Sequence, residues 1–198
     1  MKIRVYEGGK GSGNFDHKGR SGEVGGSSPG YSDLEISGVL SYSSLDGKKI
    51  NQALRYGTGE WSGIITQLDS AIRKSSLPED EVLYRIMGAG YYPIKPGEIF
   101  TDKAFVSATL VREKLEAMAV LGPKTIPIEV RIMVKKGQKG LVTQPNMVIY
   151  PDEKEVILPR NSKFRVISYD PSTFVQYSWG QKERPILVVE LLNENSFS

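Results

Sequence analysis

The chain has 198 residues, of which 39% are hydrophobic and 25% charged, enough apolar material for one globular domain or one domain with an appendage. Its net charge of +3 comes from basic and acidic residues that are interspersed, so no block of like charge indicates a nucleic-acid-binding arm. Cysteine is absent and the one histidine is His17, which excludes disulfides, a cysteine nucleophile and a multi-histidine metal site.

Glycine and serine dominate the start of the chain, from residue 7 to residue 30. This composition predicts a flexible segment over residues 1–30, followed by a single domain over residues 31–198. Charges and glycines stand where a secretory signal needs an apolar run, and no stretch approaches membrane-spanning length. Residues 13–27, GNFDHKGRSGEVGGS, resemble glycine-rich segments of tailed-phage head and structural proteins, and this resemblance implies a phage origin.

The next part of the chain, residues 31–74, has the periodicity of helices. Apolar residues recur at helical spacing in the segments LEISGVL, DGKKINQALRYG and WSGIITQLDSAIRK. We therefore predict two or three short helices in succession.

After a turn at LPED, the pattern changes to short β-type runs. They are EVLYRIM, KAFVSA, TIPIEVRIMV, KEVILP, SKFRVISY and RPILVVELL, and among them only LVREKLEAMAVLG has helical spacing. Helices first and strands afterwards predict an α+β fold, with two packed antiparallel sheets and an N-terminal helical segment against one of them. No glycine-rich phosphate loop joins a strand to a helix, which argues against a Rossmann or P-loop nucleotide site.

Two glutamates open one of these strands, in YPDEKEVILPR at residues 150–160. In an extended strand Glu153 and Glu155 project to the same face while Lys154 points away. Close carboxylates push their pKa values apart and can divide acid, base and electrostatic roles. The alternative is a solvated strand end at the rim of a sheet.

Two earlier strands supply further polar groups. Arg85 lies in EVLYRIMG, and Ser107 lies in FVSAT with Thr109 two residues on, facing the same way. Taken alone, the arginine could extend from a strand edge with its head in water, and the hydroxyl residues could reflect β-propensity. Together, however, an arginine, a hydroxyl-bearing strand and a Glu-x-Glu pair follow one another along the chain in that order, and we treat them as one constellation.

This constellation resembles that of the mono-ADP-ribosyltransferases, in particular the bacterial toxin branch with the clostridial binary actin-modifying toxins. The resemblance covers about residues 36–193 and extends to INQALR, LPEDEVLYR and EVILPRNSKFRV. It implies the ADP-ribosyltransferase fold and NAD as co-substrate, with no metal. The implied reaction transfers ADP-ribose to an arginine of a protein acceptor and releases nicotinamide.

The resemblance also implies roles for the quoted residues. Arg85 would anchor the pyrophosphate of NAD through paired hydrogen bonds, and Ser107 would orient a carboxylate. Glu155 would bond the ribose and stabilise its developing positive charge, whereas Glu153 would align and deprotonate the incoming guanidinium. The family pattern is Ser-Thr-Ser, so the SAT sequence ending at Thr109 lacks the middle hydroxyl.

Further positions match the family less closely. Tyr42 and Asn51 fall where the first helices of the family touch the adenosine side, and Tyr150 matches an aromatic on the acceptor-facing loop. The alternatives are a helix-packing tyrosine, an exposed asparagine and a tyrosine in a tight turn. Met118 stands near the position where the family often has an aromatic over nicotinamide.

Two other functions remain open from the sequence. The chain could be an NAD glycohydrolase with water as acceptor, or an inactive structural or interaction protein of a phage head. The second is disfavoured because the arginine, the serine and both glutamates are all present. We expect a monomer that is located in the host cytoplasm or the virion. Its expected partner is a bacterial host protein with an exposed arginine, and we expect it to bind neither nucleic acid nor membrane.

Overall fold

The computed structural model describes residues 30–115, 127–172, 174–177 and 180–192. Residues 1–29 of the predicted flexible segment, and Met118, lie outside the described residues. The predicted α+β class with an N-terminal helical segment is confirmed, since helices precede strands along the chain. The helices are α1 (Asp33–Ser41), α2 (Gly47–Tyr56) and α3 (Ser62–Arg73), and a π-helical turn (Tyr42–Asp46) joins the first two.

The helical segment is closed by an ion pair between its two ends. Ser32 and Glu35 form a reciprocal capping box at the start of α1. The Glu35 carboxylate also accepts hydrogen bonds from Lys74 Nζ at 2.8 Å and Ser70 Oγ at 2.6 Å. These hydrogen bonds lower the pKa of Glu35 to about 2. The start of α1 is thereby fixed to the end of α3.

The described strands are β1 (Glu81–Gly88), β2 (Ile99–Asp102), β3 (Val106–Thr109), β4 (Pro127–Val134), β5 (Leu141–Val142), β6 (Glu155–Leu158), β7 (Ser162–Asp170), β8 (Phe174–Tyr177), β9 (Gly180–Glu183) and β10 (Ile186–Leu191). Eight of them form one sheet in the order β2-β7-β10-β4-β1-β3-β6-β5, and β8 pairs with β9 in a separate hairpin. The pairings are antiparallel except for the parallel pair of β10 and β4.

One continuous eight-stranded sheet stands where we expected two packed antiparallel sheets. Strands β1 and β3 are joined through one residue pair, Tyr84 with Thr109. Side chains from both sides of this junction, such as Val130 of β4 and Val156 of β6, share one hydrophobic core. The two parts of the sheet therefore pack against a common core, and the pairing of β1 with β3 joins them into one sheet.

A second hydrophobic core lies between the helices and the β5–β6 side of the sheet. Ile50 and Leu68 from the helices pack there with Leu141 of β5 and Ile157 of β6, all fully buried. Burying each such side chain stabilises the fold by about 1.5–3 kcal/mol. The core holds the helical segment against the strand that begins at Glu155.

Two local features bear on the sequence predictions. The predicted helix in LVREKLEAMAVLG corresponds to a 3₁₀ turn (Arg112–Lys114), and residues 116–126 lie outside the described part of the chain. Within the ranges described, no helix combines the length and apolar character that a membrane crossing requires.

Candidate active site

The carboxylate of Glu155 is held by two serine hydroxyls. Ser107 Oγ of β3 donates to Glu155 Oε1, and Ser43 Oγ of the π-helical turn donates to Oε2 at 2.5 Å. Glu155 is the first residue of β6 and pairs with Thr109 across the sheet, which brings Ser107 diagonally opposite. Both carboxylate oxygens are therefore fixed by groups from different elements.

Glu153 reaches the same space by a route that the sequence did not predict. It ends a 3₁₀ turn (Pro151–Glu153), and Lys154 has a left-handed backbone with a φ of 46°. The expected extended alternation from Glu153 to Glu155 is therefore wrong, because the strand begins only at Glu155. Both glutamates nevertheless line one cavity of about 100 Å³.

The environment of Glu153 disfavours its ionised form. Burial raises the pKa of Glu153, and the negative charges of Glu155 and Asp152 raise it further. No described residue donates a hydrogen bond to its carboxylate, in contrast to Glu155. The carboxylate of Glu153 is thus close to that of Glu155 but not fixed in position.

Thr109 holds the backbone of this turn and makes no described bond to a carboxylate. Its Oγ1 donates to the carbonyl oxygen of Glu153 and accepts a hydrogen bond from Val111 N at 2.9 Å. The neighbouring Leu110 N donates to Lys154 O at 3.2 Å. The hydroxyl that ends SAT therefore positions Glu153 through the main chain.

The guanidinium of Arg85 has two buried nitrogens, on a side chain that is half-buried overall. Nε and Nη1 of Arg85 have no hydrogen-bond partner among the described residues. A buried cationic donor without an acceptor is costly, so the side chain is suited to an anionic ligand. Because these nitrogens are buried, the alternative of an arginine that extends into water does not apply.

Arg85 lies between the glutamate cavity and a second cavity of about 290 Å³. Lys48, Asn51, Arg55 and Tyr91 also line the second cavity. Arg55 is held by Asp102, with Nη2 at 3.2 Å from each carboxylate oxygen, and its guanidinium lies 5.4 Å from the centre of the Tyr91 ring. Three cationic side chains therefore face one cavity beside the glutamates.

Asn51 and Tyr42 take different positions around this cavity. Asn51 lines it and donates through Nδ2 to Tyr42 Oη at 3.0 Å and to Phe105 O at 3.1 Å, while its buried Oδ1 has no described partner. Tyr42 is only 4% exposed, and its hydroxyl donates to Phe105 O at 3.3 Å. Burial raises the pKa of Tyr42 well above its usual value.

The predicted contact of Tyr42 with the adenosine side is therefore not supported. Its ring packs edge-to-face against Phe105, with 5.6 Å between the ring centroids, and lines neither cavity. Tyr42 instead fastens the helical segment to the chain just before β3, which is the helix-packing alternative.

Tyr150 lies at the start of the glutamate turn. Its carbonyl oxygen accepts a hydrogen bond from Glu153 N at 3.1 Å, and its side chain is 60% exposed. The preceding Ile149 is also exposed, so two large hydrophobic side chains are exposed just before the turn that carries Glu153.

Three residues near the site were missed from the sequence. Arg55 lies one helical turn after Asn51 within INQALR, so the i, i+4 spacing was a usable signal. Lys48 is on the same helix, α2. Ser43 could not have been found from helical periodicity, because it lies in a π-helical turn that interrupts that periodicity.

A larger cavity, of about 610 Å³, lies at the opposite end of β6 from Glu155. Its cationic side chains are Lys136, Lys139, Arg160 and Lys163. Arg160 is already paired with Asp69, and Lys139 Nζ donates to Arg73 O. No carboxylate among the described residues lines this cavity, so its size does not make it the candidate active site. Across the described ranges, no group of three or more histidine, aspartate or glutamate side chains could hold a metal ion.

Comparison with known proteins gives a family match and several similar structures. The family model for ADP-ribosyltransferase exoenzymes matches residues 28–193. A Mycobacterium avium protein named as an NAD(+)–arginine ADP-ribosyltransferase, Mav, is 29% identical over 145 residues, which span 70% of this chain and 17% of that protein.

The fold resembles those of solved ADP-ribosyltransferase toxins. Plx2a from Paenibacillus larvae aligns with a TM-score of 0.64 at 18% identity, covering 82% of this chain and 87% of that one. The structure of C3stau2 from S. aureus with NAD aligns with a TM-score of 0.60 at 21% identity, covering 83% and 89%. A phage origin is not shown by these matches. The family match spans the helices, the sheet and both glutamates, and the chain belongs to the ADP-ribosyltransferase exoenzyme family.

Proposed function

We propose that the chain transfers ADP-ribose from NAD to an arginine side chain of a protein acceptor and releases nicotinamide. The observation that carries the proposal is the pair of glutamates in one cavity, of which Glu155 is fixed by two hydroxyls and Glu153 is not. The name of the mycobacterial relative, which specifies arginine, supports the same acceptor.

The cationic cavity fits the phosphates of NAD. Arg85, with two buried nitrogens that have no acceptor among the described residues, is the proposed anchor, because a guanidinium pairs with phosphate oxygens through two hydrogen bonds. Lys48 and Arg55 add positive charge to the same cavity. Asn51 Oδ1, which has no partner in the described part of the chain, is available to accept a hydrogen bond from a ribose hydroxyl or the adenine amino group.

Glu155 is proposed to act on the bond between nicotinamide and ribose. As that bond breaks, its electron pair leaves with nicotinamide and positive charge develops on the ribose. A carboxylate that is already oriented stabilises this charge without having to reorganise. Ser43 and Ser107 supply that orientation for Glu155.

Glu153 is proposed to act on the acceptor. An arginine guanidinium pairs well with a carboxylate, and it must lose one proton when its nitrogen bonds to the ribose carbon. The raised pKa of Glu153, which follows from burial and the nearby carboxylates, makes it a better proton acceptor than an ordinary glutamate. The products are ADP-ribosyl-arginine, nicotinamide and one proton.

The surface beside Glu153 is suited to an acceptor protein. Ile149 and Tyr150 are 52% and 60% exposed, and they precede the turn that carries Glu153. An acceptor that buries these side chains would bring its arginine to the open side of the glutamate cavity, in keeping with the enrichment of exposed aromatic side chains in binding surfaces.

The test is incubation of the protein with NAD and a bacterial lysate, followed by mass spectrometry of the modified residues. We expect ADP-ribose on arginine side chains. Each modification should release one nicotinamide, and any NAD that is hydrolysed should release one more. Glu155→Gln is the negative control. Modification of other residue types would overturn the arginine assignment, and release of free ADP-ribose alone would favour an NAD glycohydrolase.

A further inference from the structure

We propose that Ser43 is a positioning residue for Glu155, through which the N-terminal helical segment contributes indirectly to NAD cleavage. The inference rests on the proposed role of Glu155. The carrying observation is the hydrogen bond from Ser43 Oγ to Glu155 Oε2 at 2.5 Å, which joins residues 112 positions apart in the chain.

The turn that carries Ser43 is built tightly. The backbone leaves helical geometry at Ser44, with a φ of −89° and a ψ of −168°, and Ser44 Oγ donates back to Ser41 O at 2.5 Å. A Cβ on Gly47 would lie 2.2 Å from the carbonyl oxygen of Tyr42, so only glycine fits where the turn closes. An interruption of this kind within a helical segment is often found at a functional site.

The same turn is anchored to the strand that carries the other serine. The hydroxyl of Tyr42, the residue before Ser43, donates to Phe105 O, and Phe105 is two residues before Ser107. Asn51 donates to the same carbonyl oxygen and to the Tyr42 hydroxyl. The two serines that hold Glu155 therefore share one buried anchor, which fixes their separation.

This arrangement assigns a chemical role to Ser43. Ser107 fixes one carboxylate oxygen and Ser43 fixes the other, so the carboxylate can neither rotate about its terminal bond nor swing away from the cavity. Each oxygen keeps a second lone pair for the ribose of NAD. Loss of Ser43 should therefore impair the chemical step more than the binding of NAD.

The kinetic test compares Ser43→Ala, Ser43→Thr and Ser44→Ala in nicotinamide release. We expect Ser43→Ala to lower kcat by about 10- to 100-fold, as for loss of a hydrogen bond to a charged group, with little change in KM. Ser43→Thr keeps a hydroxyl and should restore most of kcat. Ser44→Ala disturbs the same turn without touching Glu155 and should have the smaller effect. An unchanged kcat in Ser43→Ala, or an equal loss in Ser44→Ala, would overturn the inference.

A second measurement separates this inference from the proposed function. Urea unfolding midpoints of wild type, Ser43→Ala, Glu155→Gln and the double variant form a cycle that reports the contact itself. Non-additive midpoint shifts in a protein that releases no nicotinamide would leave the contact standing and reject the proposed function. Additive shifts in an active protein would reject the role of Ser43 and leave the proposed function intact.

Discussion

The two glutamates of the site lie two residues apart and have opposite surroundings. Glu155 begins a strand, and both of its carboxylate oxygens accept serine hydroxyls. Glu153 ends a 3₁₀ turn, its carbonyl oxygen is held by Thr109, and no described residue donates to its carboxylate. Hydrogen bonds fix the side chain of Glu155, whereas in Glu153 they fix only the backbone.

The difference matches the proposed division of labour, in which Glu155 acts on NAD and Glu153 acts on the acceptor arginine. Bond cleavage in NAD needs a carboxylate already in place, because reorganisation during the reaction would cost rate. An acceptor arginine arrives from outside and differs between proteins, so a carboxylate that is not yet fixed can pair with it on arrival. The raised pKa of Glu153 suits proton removal in the same encounter.

The largest effect is expected from Glu155→Gln. Loss of the fixed negative charge should lower both NAD hydrolysis and arginine modification by about 10²–10³-fold. NAD binding, measured by calorimetry, should change little, because the cations that we propose bind its phosphates remain. Glu190→Gln, in a surface ion pair with Arg165, is the matched control and should keep full activity. Retained hydrolysis in Glu155→Gln would contradict the assignment.

Glu153→Gln should separate the two activities. Transfer to a small guanidino compound such as agmatine should fall by about 10²-fold, a usual contribution of general base catalysis, while NAD hydrolysis is largely spared. The measurement is the ratio of ADP-ribosylated acceptor to total nicotinamide released. Equal losses in both activities would show that the two glutamates act as one unit and would contradict their proposed separate roles.

Arg85→Lys tests the phosphate side of the site. Lysine keeps the charge but loses the planar fork, so the dissociation constant for NAD should rise by about tenfold or more. The same increase is expected for ADP-ribose and none for nicotinamide, since the proposed contact is to phosphate. Arg165→Lys, which alters an arginine in a surface ion pair, provides the control. An unchanged constant for ADP-ribose would remove Arg85 from the proposed anchor.

The sequence predicted the fold class well because its patterns are local. Helical spacing gave the helices near residues 33–73, and β-type runs gave the longer strands such as β1 and β7. The strands β2, β5, β8 and β9, of two to four residues each, lie outside the predicted β-type runs. The parallel pairing of β10 with β4 depends on packing between distant parts of the chain, which no local pattern reports.

The candidate site was predictable where residue type alone suffices. Arg85, Ser107 and both glutamates meet around one cavity as the constellation predicted, although their functions stay proposals. The backbone conformation that brings the two glutamates together was not predictable, since Lys154 between them is left-handed and not extended. Ser43 was missed for a related reason: its contact with Glu155 arises from a turn whose geometry is set by packing.

The smallest effect should be a shift in the pH dependence of arginine transfer. Protonated Glu153 can neither pair with a guanidinium nor accept its proton, so transfer should rise with pH through the pKa of Glu153. Burial and the charges of Glu155 and Asp152 raise that pKa, and the positive charge of Lys114 lowers it. The acid limb should therefore lie above the usual range of a glutamate.

Asp152 and Lys114 form an ion pair beside Glu153, and its two members should shift this limb in opposite directions. Asp152→Asn removes a negative charge and releases Lys114, and both changes lower the pKa of Glu153, so transfer should persist to lower pH. Lys114→Met removes the opposing positive charge, so the limb should move to higher pH. Both side chains are partly exposed, hence both shifts should be small and should shrink in high salt. The measurement is kcat/KM for agmatine against pH at saturating NAD, with NAD hydrolysis as the control. Shifts of the same sign in both variants, or equal shifts in hydrolysis, would mean that the limb does not report Glu153.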